Sequence, residues 1–440
     1  MTDEGTVGVF DTLKATPVTV RYLLGGVLIN QLGAFVQTFL VLYLTHRHMS
    51  VQAAGLSLVA FSAGTILGTM LGSEATQRFG PRFTIVAAMA GSGPLIAVIP
   101  LLSRSGLLVP LLLVVGLGGL LGQAYRPAAY VLLSDLMPKQ HAKMGFSMFR
   151  IALNTGAAVA PMIAAGLILV DWDALFWLDG ATALAYAALA FALLPRQAVL
   201  AAQERAAAQD AAEPSQDAAD EPAPITGRAA YAAILRDRKY LLYLAAVMLG
   251  TLAYMQSVVA LPLQIKADDY PTGLYSAVLT ISSVVLITCE LKITTYILRI
   301  PTHTAVLVGH LVNALGFVGY ALSAHSPVYL VAGAVLEVAG VMIAGPSMYA
   351  HPAAFPARLK TRYIGVMQAA TGLAAALGPL ITVYVWTRLD HGFWMLCALA
   401  AAVTGVLAMA GTNREEEHGL AAEQGEPTEG KAEEVVGGTA

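Results

Sequence analysis

Long apolar runs recur along the chain, separated by short polar breaks, and the alternation repeats twelve times. The runs predict helices at roughly 17–44, 52–78, 82–102, 106–136, 143–170 and 173–195, then at 238–266, 271–299, 302–323, 326–352, 360–388 and 391–412. About 20 apolar residues suffice to cross a hydrocarbon core about 30 Å thick, and each run is at least that long. Lipid offers a backbone amide no partner, so such spans are helical. The alternating ten-residue segments of a membrane barrel do not appear. The polar stretch at roughly 196–237 is Ala-rich and acidic, with Pro214, Pro222 and Pro224, and reads as a cytosolic linker with a short helix near its start. The expected organisation is therefore a six-helix bundle over 1–195, the linker over 196–237, a second six-helix bundle over 238–412, and a disordered acidic tail over 413–440. Residues 1–20 carry Asp3, Glu4 and Asp11 where a signal peptide would be basic, so the first helix is expected to stay in the membrane.

Composition agrees with this all-α, polytopic membrane reading. Of 440 residues, 57% are hydrophobic and 12% charged, against about 45–50% and about 25% in soluble domains. A net charge of -3 gives no basic surface for nucleic acid, and Cys289 and Cys397 sit inside apolar runs rather than in a disulfide framework. Charge also sets the expected topology. With both termini in the cytoplasm, only Arg47, Arg104, Lys266 and Arg388 fall on the outer side, and Arg126, Arg150 and Lys292 lie within spans. The remaining Lys and Arg are cytoplasmic, as the positive-inside rule requires.

Local motifs sharpen the picture. After the second helix comes Ser73-Glu74-Ala75-Thr76-Gln77-Arg78-Phe79-Gly80-Pro81-Arg82, a tight turn at Gly80 flanked by cations. The fifth helix carries Gly156, Ala160 and Pro161 in a run of small residues that lets helix backbones approach closely. The eleventh repeats a weaker version ending in Gly378-Pro379. The fourth holds Gly116-Leu117-Gly118-Gly119, then Tyr125-Arg126-Pro127 and Asp135-x-x-Pro138. Six plus six helices with these motifs resemble the major facilitator superfamily, and most of all its twelve-helix drug:proton antiporters.

That resemblance implies two halves related by an axis along the membrane normal, with substrate bound between them. It makes Arg78, Gly80 and Arg82 part of a cytoplasmic latch, matching G-x-x-x-D-R-x-G-R-R/K, in which cations meet acidic groups and helix C-termini of the facing half. Here Ser73 and Gln77 depart from the pattern, and Glu74 is the carboxylate available to substitute. It makes Gly156, Ala160, Pro161, Gly378 and Pro379 gating seams, against the alternative of ordinary small-residue packing. The arginine that antiporters carry early in the fourth helix corresponds to about Leu112, so Arg126 does not inherit its role.

Charges inside spans cost about 2.5–3.5 kcal/mol each and face the bundle interior. Glu290 and Glu337 are the expected proton carriers, against an internal pair (with Lys292 or a neighbouring helix) and a packing hydrogen bond respectively. Asp179 suits a cap or interface, and Arg126 either an anionic substrate group or a structural salt bridge. Arg150 and Asn154 share one helix face and suit a cavity or gate. Asn30, Gln31, Gln37, Tyr125, Tyr254, Gln256, Asn313 and Gln368 complete the expected lining, and His310 reads as a core residue. No H-E-x-x-H, G-x-S-x-G, phosphate loop or zinc spacing is present. The expectation is a secondary transporter of a bacterial cytoplasmic membrane, a monomer in the lipid bilayer with no cofactor, no nucleic acid and the proton gradient as energy source. It would export a drug-like or metabolite small molecule; a symporter or uniporter importing a small polar metabolite is the alternative.

Overall fold

The computed structural model describes residues 9–138, 141–195, 228–271, 273–355, 357–389 and 392–413. These residues form sixteen α-helices and no strand. Eleven are long and apolar enough to cross a membrane: α4 (Val51–Phe79), α5 (Pro81–Ser105), α6 (Leu108–Leu136), α7 (Ala142–Ile168), α8 (Ala174–Leu193), α10 (Arg238–Val259), α12 (Gly273–Ile297), α13 (Thr302–Ala321), α14 (Pro327–Ala350), α15 (Ala357–Leu389) and α16 (Gly392–Thr412).

The first predicted span is not one helix. It divides into α2 (Val18–Leu32) and α3 (Val36–His46) around Gly33, Ala34 and Phe35. The Gly33 amide turns back onto the carbonyls of Asn30 and Gln31. The break exposes amides at the start of α3, and Asp179 on α8 takes them: Phe35 N and Val36 N donate to its Oδ2 at 3.0 and 3.2 Å. The seventh predicted span divides likewise, with α11 (Leu261–Ala267) following α10 after Ala260. Pro262 has no N–H for the Val258 carbonyl, which instead accepts from the Tyr275 hydroxyl at 3.3 Å. Gly33 and Pro262 were visible signals for both breaks.

Two short helices lie outside the predicted spans. Val9–Ala15 (α1) precedes α2, and Thr12 Oγ1 is 2.8 Å from His141 Nδ1 at the start of α7. Arg228–Arg236 (α9) occupies the end of the stretch read as linker, with Ile234 fully buried. The helix expected near the linker's start and the tail beyond Asn413 lie outside the described residues.

Small residues bring the helix backbones together. Gly64, Gly68 and Gly72 form one stripe on α4, and a Cβ on any of them would collide with the α6 backbone at Gly116, Leu120 or Ala124. On α13, Gly309 and Gly316 approach the backbone of α14 in the same way. Aromatic side chains fill the centres: Tyr125, Tyr186 and Phe149 in one cluster, Phe317, Tyr320 and Trp394 in another. Leu67, Leu113, Leu184, Leu315 and Leu399 point outward, an apolar surface suited to lipid. At one end of the bundle the fully buried Asp173 accepts from the Tyr43 hydroxyl at 2.7 Å and pairs with both Arg47 and Arg104. This single carboxylate ties together the end of α3, the end of α5 and the start of α8.

Candidate functional site

The helices up to α8 meet those from α10 onward along α4–α15, α6–α15, α7–α12 and α7–α14. The described hydrogen bonds and ion pairs across this boundary lie towards the end of the bundle that carries the α4–α5 turn. Ser73 Oγ donates to the Thr361 carbonyl at 2.6 Å. Arg362 grips Glu74 with Nε at 3.2 Å and an Nη at 3.1 Å, and Lys360 pairs with Asp135. On α7 the residues at 143, 147 and 150 lie along one face. Lys143 donates to Thr302 Oγ1 at 2.9 Å, Ser147 Oγ meets Thr294 Oγ1 at 2.8 Å, and Arg150 reaches Glu290 at 3.3 Å.

Arg150 is the most constrained of these groups. It also donates to the Val341 carbonyl at 3.0 Å, and its guanidinium carbon lies 5.9 Å from the centre of the Tyr349 ring. The space it occupies exists because position 345 is glycine; a Cβ there would overlap the guanidinium. Glu290 is fully buried, and neither carboxylate oxygen has an aligned hydrogen-bond donor, so Arg150 holds it by charge. Lys292 points to the surface of α12, away from Glu290. The internal pair thus runs to a neighbouring helix and not to Lys292.

Above this seam lies a cavity of about 430 Å³, large enough for a drug-sized guest. Arg150 and Asn154 on α7 face Tyr254 on α10, His310 and Asn313 on α13, and Glu337 on α14. Glu337 is 5% exposed and accepts from Ser257 Oγ and the Tyr320 hydroxyl, both at 2.6 Å. Much of the remaining wall is apolar, from Leu261, Leu279, Met348 and Met367. His310 is placed here and not in a closed core, with Nε2 lacking a partner.

A second cavity of about 170 Å³ lies beside the break between α2 and α3, lined by Asn30, Gln31, Tyr125, Arg126, Ala160, Pro161 and Asp179 among others. Arg126 makes no ion pair among the described residues, and its Nε is buried without a hydrogen-bond partner.

The other expected residues are elsewhere. Gln256 is buried between the Leu252 carbonyl and Thr382 Oγ1. Gln368 is buried on α15 and lines neither cavity. The side chain of Gln37 lies outside the described residues. Gly156 packs on α2, where a Cβ would lie 2.5 Å from Gln31 Cβ; Gly378 packs on α10, where it would lie 2.6 Å from Met255 Cβ, with Pro379 next along α15. Gly80 turns the chain at φ 87° between α4 and α5. Arg78 is exposed over Phe79. Arg82 does not reach across the boundary; it caps the carbonyls of Ala190 and Phe191 at the end of α8. The cation that crosses the boundary to this loop is instead Arg362, which meets Glu74. Among the described residues no group of three or more His, Cys, Asp or Glu gathers for a metal.

Comparisons with known proteins bear on this arrangement. The family model described as Major Facilitator Superfamily matches residues 23–379. A Na(+), Li(+), K(+)/H(+) antiporter of Planococcus maritimus is 22% identical over 398 residues, covering 86% of this chain and 92% of that protein. Among solved structures, the proton:xylose symporter XylE bound to 6-bromo-6-deoxy-D-glucose superposes with a TM-score of 0.66 at 15% identity, over 93% of this chain and 96% of that one. The E. coli fucose:proton symporter FucP gives 0.68 at 13% identity, over 91% and 100%.

Proposed function

The chain belongs to the major facilitator superfamily, and from that premise we propose that it exports small amphipathic molecules in exchange for protons. Membership makes it a polytopic membrane transporter and not an enzyme. The finer reading is carried by one observation: two buried carboxylates occupy the places where a proton would matter. Glu337 lies in the wall of the large cavity, and Glu290 lies in the seam that holds the halves together.

Both groups connect protonation to shape. Proton uptake at Glu290 removes the charge that holds Arg150, loosening the α7–α12 contact and freeing a cation at the cavity floor. Uptake at Glu337 turns an acceptor of two hydroxyl hydrogen bonds into a donor and changes what the cavity binds. Alternating access then follows by rocking of the halves, divided at the 196–237 linker. The positive-inside bias supports a cytoplasmic α4–α5 turn and cytoplasmic termini. With contacts gathered at that end, this conformation reads as outward-facing. A proton entering down 100 mV contributes about 2.3 kcal/mol. The cation/proton antiporter relative and the Gly156 and Gly378 seams support exchange. The fold neighbours described as proton symporters favour the second reading, import by symport.

Proteoliposomes loaded with neutral, cationic and anionic amphipathic dyes test this. Imposing a pH gradient should drive dye movement with counterflowing protons, and Glu290→Gln with Glu337→Gln together should reduce it at least about tenfold. Undiminished proton flux in the double variant would remove the coupling role, and dye moving in the same direction as protons would make the protein a symporter.

A further inference from the structure

Three cations lie within the spans, and two are accounted for. Arg150 is met by Glu290 and the Val341 carbonyl, and Lys292 reaches the surface of α12. Arg126 is the exception. No carboxylate pairs with it among the described residues; the Tyr125 hydroxyl is beside it, Asn30, Gln31 and Gln123 line the same cavity, and its Nε is buried without a hydrogen-bond partner. A guanidinium set into a membrane-spanning bundle needs a counter-charge or a full set of acceptors. This one has a cavity beside it instead.

Asp179 lines the same cavity but is committed elsewhere, its Oδ2 taking the two amides that open α3. Its presence narrows the choice of guest. One cation, in a cavity whose wall already holds a carboxylate, suits a singly charged anion and disfavours a phosphate dianion. The carboxylate geometry also matches the two-pronged face of a guanidinium. The position borders the larger cavity through a shared neighbour: Tyr349 is among the tyrosines around Arg126 and also lines that cavity beside Arg150.

We propose that the transported molecule is an organic monocarboxylate, its carboxylate received by Arg126 and the Tyr125 hydroxyl, and its apolar body extending towards the larger cavity. This rests on the transporter reading and names the substrate class for it. The occupied state supplies the counter-charge that Arg126 lacks, so the empty carrier is the strained one.

The test uses the full-length protein in detergent and in proteoliposomes, with aromatic and aliphatic monocarboxylates each paired with its uncharged carboxamide. Binding is read by thermal shift and tryptophan fluorescence. At least one carboxylate should bind, with its carboxamide weaker by about ten- to a hundred-fold. Arg126→Gln should erase that difference, while Arg126→Lys, which keeps the charge without the fork, should retain part of it. Equal binding of every acid and amide by the wild-type protein overturns the proposal without any variant. So does Arg126→Gln that loses acids and amides alike, which marks a structural role. Proton-coupled movement of cationic dyes with no carboxylate bound would sink the anion assignment and leave the transporter reading standing; no proton-coupled flux of any dye or acid would remove the transporter reading itself.

Discussion

Arg150 shows how a single side chain joins the parts of the site. It touches α12 through Glu290, α14 through the Val341 carbonyl, and the floor of the large cavity. Its place depends on Gly345, which supplies room and nothing else. Gly345→Ala is expected to destabilise the protein by about 1–3 kcal/mol through overpacking, read as a lower melting temperature in detergent, and to slow proton-driven flux along with it. Unchanged melting and flux would mean that Arg150 finds another seat. At this scale the sequence was informative about the acids. Glu290 and Glu337 stand out because a carboxyl in an apolar run is costly unless it is placed for a reason. Their partners were less legible. Lys292 is two positions from Glu290, and residues two apart on a helix point to different faces, so the nearest cation in sequence was the wrong one. Arg150 is 140 positions away, and nothing local names it.

Among the elements, the first and seventh spans carry the departures from regular helix. Each is interrupted, and each interruption is answered by a side chain from another helix: Asp179 for α3, Tyr275 for α10. The Asp173 cluster does similar work at the ends of α3, α5 and α8. Burial pushes the Asp173 carboxyl up, but the hydrogen bonds from Tyr43 and Arg47 and the charges of Arg47 and Arg104 outweigh it and hold the group below its ordinary 3.8. The sign of the pH dependence follows. A carboxyl with a lowered folded pKa stabilises the fold fully above the unfolded value and loses that contribution as pH falls through the folded value. Asp173→Asn should therefore lower stability by about 1.5–3 kcal/mol near neutral pH. The gap from wild type should narrow below about pH 4, read as melting temperature across that range. A gap independent of pH would show that packing, not charge, carries the cluster.

For the whole molecule, the hydrogen bonds and ion pairs between the halves are unevenly distributed. The described contacts between halves cluster near the α4–α5 turn, and the strongest by geometry is the double hydrogen bond of Arg362 to Glu74. The Arg362 side chain is 3% exposed and that of Glu74 42%, so losing Glu74 leaves a buried cation unmet. Glu74→Arg alone should abolish flux by forcing the seam open, and adding Arg362→Glu should restore at least about a tenth of it. A double variant as inactive as the single one would refute a latch built on this pair. The sequence by itself determined the solvent and the helical character of the spans, because apolar length and backbone hydrogen bonding in lipid leave one solution. It also marked the carboxylates worth testing. The tertiary structure decided which charges meet: Glu74 with Arg362, Glu290 with Arg150, Asp179 with the break in the first span, and Arg126 with none. Such pairings depend on the rotation of each helix and on its distant neighbours, and no periodicity within one span records either.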